Sequence, residues 1–167
     1  MPYEQSQYVV YRSTEICQIG ERVKRCFDGK NEVEYITLQP TDSKGLYYIP
    51  AEKLKDCTRP LLSRDEILTL IDEMPSINAS WIVEKNDRKQ SFSEAVKSGD
   101  YRLILPMLSA IYTERQKRSE QGKHLPAADK KAFETAISLL HKEAAYSLGI
   151  PQEKVEEFIS ERISHQA

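Results

Sequence analysis

At 167 residues the chain has room for one domain or two small ones, and 40% hydrophobic residues suffice for a packed core, so this is not a disordered chain. A formal net charge of −2 and an isoelectric point near 6.0 argue against a general polyanion binder, whose footprint is a basic domain. No stretch approaches the ~20 apolar residues of a membrane span. The start, Met1-Pro2-Tyr3-Glu4-Gln5, lacks the basic region and apolar run of a leader, so a cytoplasmic protein is expected.

The first sixty residues carry short runs rich in β-branched and aromatic residues: Tyr8–Tyr11, Ile16–Ile19, Val33–Leu38 and Leu46–Ile49. Between them stand the turn formers Asp28-Gly29-Lys30-Asn31 and Asp42-Ser43-Lys44-Gly45. Pro50 ends the fourth run by removing a ladder donor. Four or five strands in so short a stretch predict a strongly bent sheet, closed as an SH3-like or Tudor-like barrel over residues 1–60. Such a barrel offers little room for a catalytic pocket and commonly binds partners along a sheet edge. Tyr35, Tyr47 and Tyr48 are expected to pack across strands. Cys17, Cys26 and Cys57 are odd in number and lack the paired spacing of a zinc site, so they read as reduced small hydrophobes.

Residues 61–167 read as helical, which makes the fold class α+β. Ser63-Arg64-Asp65-Glu66 opens a helix with Ile67, Leu68 and Ile71 on its apolar face and acidic residues in its first turn. A second helix is expected from Ile77 through Trp81 or beyond, and a third, shorter one around Phe92, Ala95 and Val96. Gly99 stops that helix and Asp100 caps the next. Tyr101, Ile104, Leu105, Leu108, Ile111 and Tyr112 recur at helical spacing, with a kink or a late start expected at Pro106. Pro126 fits the first turn of a long helix that ends before Gly149, and Pro151 opens the last. These apolar stripes are core.

Little in the chain points to catalysis. His124, His141 and His165 are too far apart to set two ligands on one helix face, so no metal and no cofactor are expected. No phosphate-cradling glycine loop, serine elbow or activated cysteine is present, and an enzyme is not expected. Trp81 is different. It is the only tryptophan, and Lys85, Arg88 and Lys89 follow it closely. An aromatic amid cations fits nucleic-acid contact; the competing reading is a core tryptophan with a solvated charged rim.

Val9-Val10-Tyr11, Tyr35-Ile36-Thr37-Leu38, Ile49-Pro50-Ala51-Glu52, Trp81, Ser98-Gly99-Asp100, Leu108–Tyr112 and Ala136–Leu140 come in a familiar order. Over residues 7–163 the chain resembles the CarD family of bacterial transcription regulators. The resemblance implies a Tudor-like domain, shared with transcription-repair coupling factors, that binds the β subunit of RNA polymerase. It also implies a helical domain that contacts promoter DNA at the upstream edge of the transcription bubble. In this sequence Arg25 matches a polymerase-contacting arginine, with Cys26 and Phe27 beside it, and Tyr48 falls where some members carry another arginine. Trp81 matches the tryptophan that wedges into the minor groove. Arg88 and Lys89 match, across a short insertion, the basic residues that follow the tryptophan in other members, and Lys130-Lys131 fall where members often carry paired cations; Lys85 joins them as a cation close after Trp81. Arg12-Ser13-Thr14-Glu15 departs from the family, many of whose members continue with Pro, a variable residue, His and Gly. The implied protein is a monomer with little sequence preference on DNA. The alternative is an interaction adaptor whose SH3-like barrel binds another partner and whose helices are structural.

Overall fold

The computed structural model describes residues 3–165; Met1 and Pro2, on which the expectation about a leader partly rests, lie outside the described residues. The chain divides into two compact units, residues 1–61 and 62–167.

The first unit holds strands β1 (Tyr8–Tyr11), β2 (Glu15–Arg25), β3 (Val33–Pro40) and β4 (Tyr47–Pro50). A 3-10 turn, the short helix α1 (Leu54–Cys57) and strand β5 (Thr58–Pro60) follow. The strands form one antiparallel sheet in the order β4-β3-β2-β1-β5. The expected closed barrel is corrected to an open sheet, because its end strands do not pair. Both end strands are short and both finish on a proline, which has no N–H to extend a ladder.

Strand β2 runs well beyond the apolar run Ile16–Ile19. Its register shifts between Ile19 and Arg22, a bulge at Gly20 and Glu21. The Thr37 hydroxyl occupies the place a Cβ at position 20 would take, and the Glu21 N–H donates to it at 2.9 Å. Beyond the bulge the strand is largely polar and exposed, so no apolar alternation announced it. The β1–β2 turn places Arg12 and Ser13 at φ of 49° and 67°, with the Thr14 N–H donating to the Tyr11 carbonyl. Asp28 organises the next turn: its Oδ1 accepts from the Lys30 and Asn31 amides at 2.8 Å each. The core comprises Val9, Tyr11, Cys17, Ile19, Ile36, Leu38, Ile49 and Leu54. Burial, with the nearby Glu15 charge, pushes the Cys17 thiol up to about 12, so it stays protonated and packs as a hydrophobe.

The second unit begins with α2 (Arg64–Glu73), fixed by a reciprocal capping box between Ser63 and Glu66. A 3-10 turn covers Met74–Ser76, and 77–84 has no regular secondary structure. The helix expected from Ile77 through Trp81 is therefore absent. Ile77 is extended at φ −81°, ψ 121°, and three carbonyls of the segment are taken by side chains rather than by a helical ladder. Helix α3 (Lys85–Ser98) is longer than expected, capped by Glu84, whose carboxylate accepts from the Asp87 amide at 2.6 Å. Gly99 ends it at φ 63°, and Asp100 caps α4 (Tyr101–Glu120) by accepting from the Arg102 amide at 2.9 Å.

Helix α4 starts at Tyr101 and continues through Pro106, so no late start occurs there. Pro126 stands one residue before α5 (Ala127–Leu148) as its N-cap rather than within the first turn, and Gly149 ends that helix at φ 68°. A 3-10 turn then leads into α6 (Val155–Ser164). Helix α5 is central, packing against α2, α3, α4 and α6. Ile67, Ile71, Ala144, Leu148 and Val155 form one core cluster. The fully buried Glu143 carboxylate accepts from the Leu62 amide and the Tyr101 hydroxyl, each at 2.8 Å.

Candidate functional site

The irregular segment 77–84 carries Trp81 on the second unit, and its ring is half-buried. One side meets Phe92 edge-on, with centroids 6.0 Å apart at 62°. The Arg88 guanidinium lies 4.5 Å from the ring centroid and that of Arg118 lies 5.8 Å from it. The ring therefore sits between an aromatic edge and two cations, a favourable arrangement for its quadrupole.

Arg88 holds this arrangement together. Its Nε and Nη2 donate to the two carboxylate oxygens of Asp129 at 2.9 and 3.0 Å. Its Nη1 donates to the Ile82 and Val83 carbonyls at 3.0 and 3.2 Å. Arg88 is 6% exposed and Asp129 4%. This corrects the placement of Arg88 among the DNA-facing cations: its donors turn inward, fixing the segment next to Trp81 onto α5. A guanidinium has the planar fork this task needs, whereas an ammonium could not engage the carboxylate bidentately.

Lys85 and Lys89 are exposed in the first turns of α3, four residues apart and so on one face. Lys130 and Lys131 are exposed in the first turns of α5, directly after Asp129. The buried pair thus joins the two helix starts that bear these four lysines. Two contributors escaped the sequence reading. Asp129 directly precedes two lysines and carries no local sign of its partner. Arg118, which also donates to Glu114 at 2.9 Å and to the His124 carbonyl at 3.2 Å, has no local signal linking it to Trp81.

On the first unit, Arg25, Cys26 and Phe27 lie at and just beyond the end of β2, and all three are exposed. The Arg25 guanidinium donates to the neighbouring Lys24 carbonyl at 3.0 Å and has no carboxylate partner among the described residues. Phe27 is 63% exposed and meets Tyr35 and Tyr48 edge-on at 5.0 and 5.6 Å. Tyr48, 40% exposed on the end strand β4, is 6.5 Å from Tyr35 in the same geometry. The sheet therefore carries a solvent-facing aromatic triad beside its β4 edge, a larger feature than the separate cross-strand tyrosines expected.

Among the described residues no cluster of three or more His, Cys, Asp or Glu is arranged to hold a metal, and no helix is long and apolar enough to cross a membrane. No protein-family model and no curated protein matches the chain.

Proposed function

We propose that the chain is a transcription regulator that docks on the β subunit of RNA polymerase and contacts promoter DNA at the upstream edge of the bubble. In this reading the open five-stranded sheet is an SH3-like, Tudor-like domain, and Arg25, Cys26, Phe27 and Tyr48 form its polymerase-binding edge. The helical unit touches DNA through Trp81, Lys85, Lys89, Lys130 and Lys131. The observation that carries the reading is the Trp81 ring, partly exposed on an irregular segment yet held by the buried Arg88–Asp129 pair.

A pre-set aromatic edge suits insertion into a minor groove, where wedging costs a few kcal/mol of unstacking that added contacts offset. Lysines around it fix register on phosphates without reading bases. A chain with a net charge of −2 binds DNA weakly alone, and docking on the polymerase supplies the effective concentration. The role needs no cofactor and no catalytic step, and it belongs to a cytoplasmic monomer.

Two substitutions test the two contacts separately. Arg25→Glu should weaken binding to the isolated β lobe, since truncating a charged anchor often costs ~2 kcal/mol or more. Unchanged affinity with the fold intact removes the docking assignment and favours an adaptor for another partner. Trp81→Ala should shorten open-complex lifetime on polymerase-bound promoters while leaving β-lobe affinity unchanged. An unaltered lifetime makes Trp81 a packing residue only.

A further inference from the structure

A groove of about 600 Å³ runs along α5 in the helical unit, walled by Leu108, Ile137, Leu140, Ile159 and Ile163. That volume lies within the ~300–1,000 Å³ typical of small-molecule sites, which are mostly apolar with a few placed polar groups. Phe133 and His141 mark two points along it, roughly two helical turns or ~12 Å apart.

The two regions differ in charge. At Phe133 the exposed Arg115 guanidinium lies 4.8 Å from that ring and 5.4 Å from the Tyr112 ring. Arg115 has no carboxylate partner among the described residues. Arg115 and Phe133 also line an adjoining cavity of about 710 Å³, whose wall adds Lys123, His124 and Lys130 against the single carboxylate of Glu134. At His141 the charge that acts on the imidazole is the Glu156 carboxylate, which lines the same groove. Burial holds that imidazole below its ordinary value, with Glu156 opposing, so the region is neutral to acidic near pH 7.

We propose that this groove binds a small anionic amphiphile, an acyl or aryl carboxylate, with its apolar body along α5 and its carboxylate at Arg115. The charge difference sets the orientation, because Glu156 repels an anionic head at the other region. Stacking on two rings pre-orders the guanidinium, so less side-chain freedom is lost when it takes a carboxylate on its N–H edge. The groove itself holds none of the polymerase- or DNA-contacting residues proposed above; only the adjoining cavity shares one of them, Lys130, and the groove's occupant stands or falls without those contacts.

Calorimetric titration of the full chain with decanoate, decanol and decylamine, each below its micellar concentration, tests this. Decanoate should bind at least ~10-fold more tightly than the alcohol or the amine, a difference of ~1.4 kcal/mol. Arg115→Gln should reduce decanoate to the level of decanol, and Ile137→Trp, which fills the groove, should abolish binding of all three. As a measurement independent of the filled variant's folding, decanoate should shift the methyl resonances of Ile137, Ile159 and Ile163 in the unaltered chain. Absence of binding, equal affinity for carboxylate and alcohol, or indifference to Arg115→Gln overturns the proposal. So does self-association that Ile137→Trp disrupts, since a second copy would then occupy the groove.

Discussion

Asp129 makes no contact that its sequence context announces, yet it neutralises Arg88, the only buried arginine among the described residues. Removing one partner of such a pair leaves an uncompensated charge and typically costs ~3–5 kcal/mol. Asp129→Ala should therefore lower the denaturation midpoint sharply and alter Trp81 fluorescence, because Arg88 would no longer be held against the ring. Arg88→Met with Asp129→Leu should recover much of that loss. His141 provides a pH test. Its folded-state pKa lies below the ordinary 6.5 through burial, so the folded state binds fewer protons than the unfolded one in the window just beneath 6.5. Stability should fall as the pH drops below about 6.5, and His141→Gln should flatten that part of the profile. Lys85 and Lys89 were legible as solvent-facing cations, since a charge run usually faces water. The inward turn of Arg88 was not, because the acid that attracts it lies forty-one residues away in sequence.

The helix starts and stops were the easiest elements to read, because Ser63, Gly99, Asp100 and Gly149 act through local backbone geometry. The segment 77–84 misled because Ile77 and Trp81 stand four apart, a helical spacing. Its conformation is set instead by side-chain donors from outside it: Arg88 on two of its carbonyls and the distant Ser109 hydroxyl on that of Ile77. The β1–β2 hairpin was equally opaque, since Arg12 and Ser13 lack the Asn-Gly type signal for two positive φ values. Strand β2 was seen only in its apolar half. Its bulge yields a direct prediction. In Gly20→Ala the new methyl meets the Thr37 hydroxyl, which is already committed to the Glu21 amide. Overpacking of this kind typically costs ~1–3 kcal/mol, and thermal unfolding of the variant should show it.

Across the whole chain the near balance of charge makes salt the natural probe of the proposed DNA contact. If about three of Lys85, Lys89, Lys130 and Lys131 reach phosphates, log affinity should fall against log salt with a slope of roughly −3, at ~0.9 per neutralised phosphate. Lys130→Ala should shrink the slope by about one, and Trp81→Ala should leave it nearly unchanged; a flat response removes the phosphate contacts. The α+β class and the two differently built halves were visible in the order of strand-like and helix-like runs, whereas the openness of the sheet turns on whether its end strands pair, and β5, one of the two, is too short to read. The Arg88–Asp129 pair also constrains how this sequence can change over time. Any lineage replacing one partner alone passes through a markedly less stable protein, while a joint replacement need not. Among variants recovered from random mutagenesis under selection for folding, positions 88 and 129 should therefore change together or not at all.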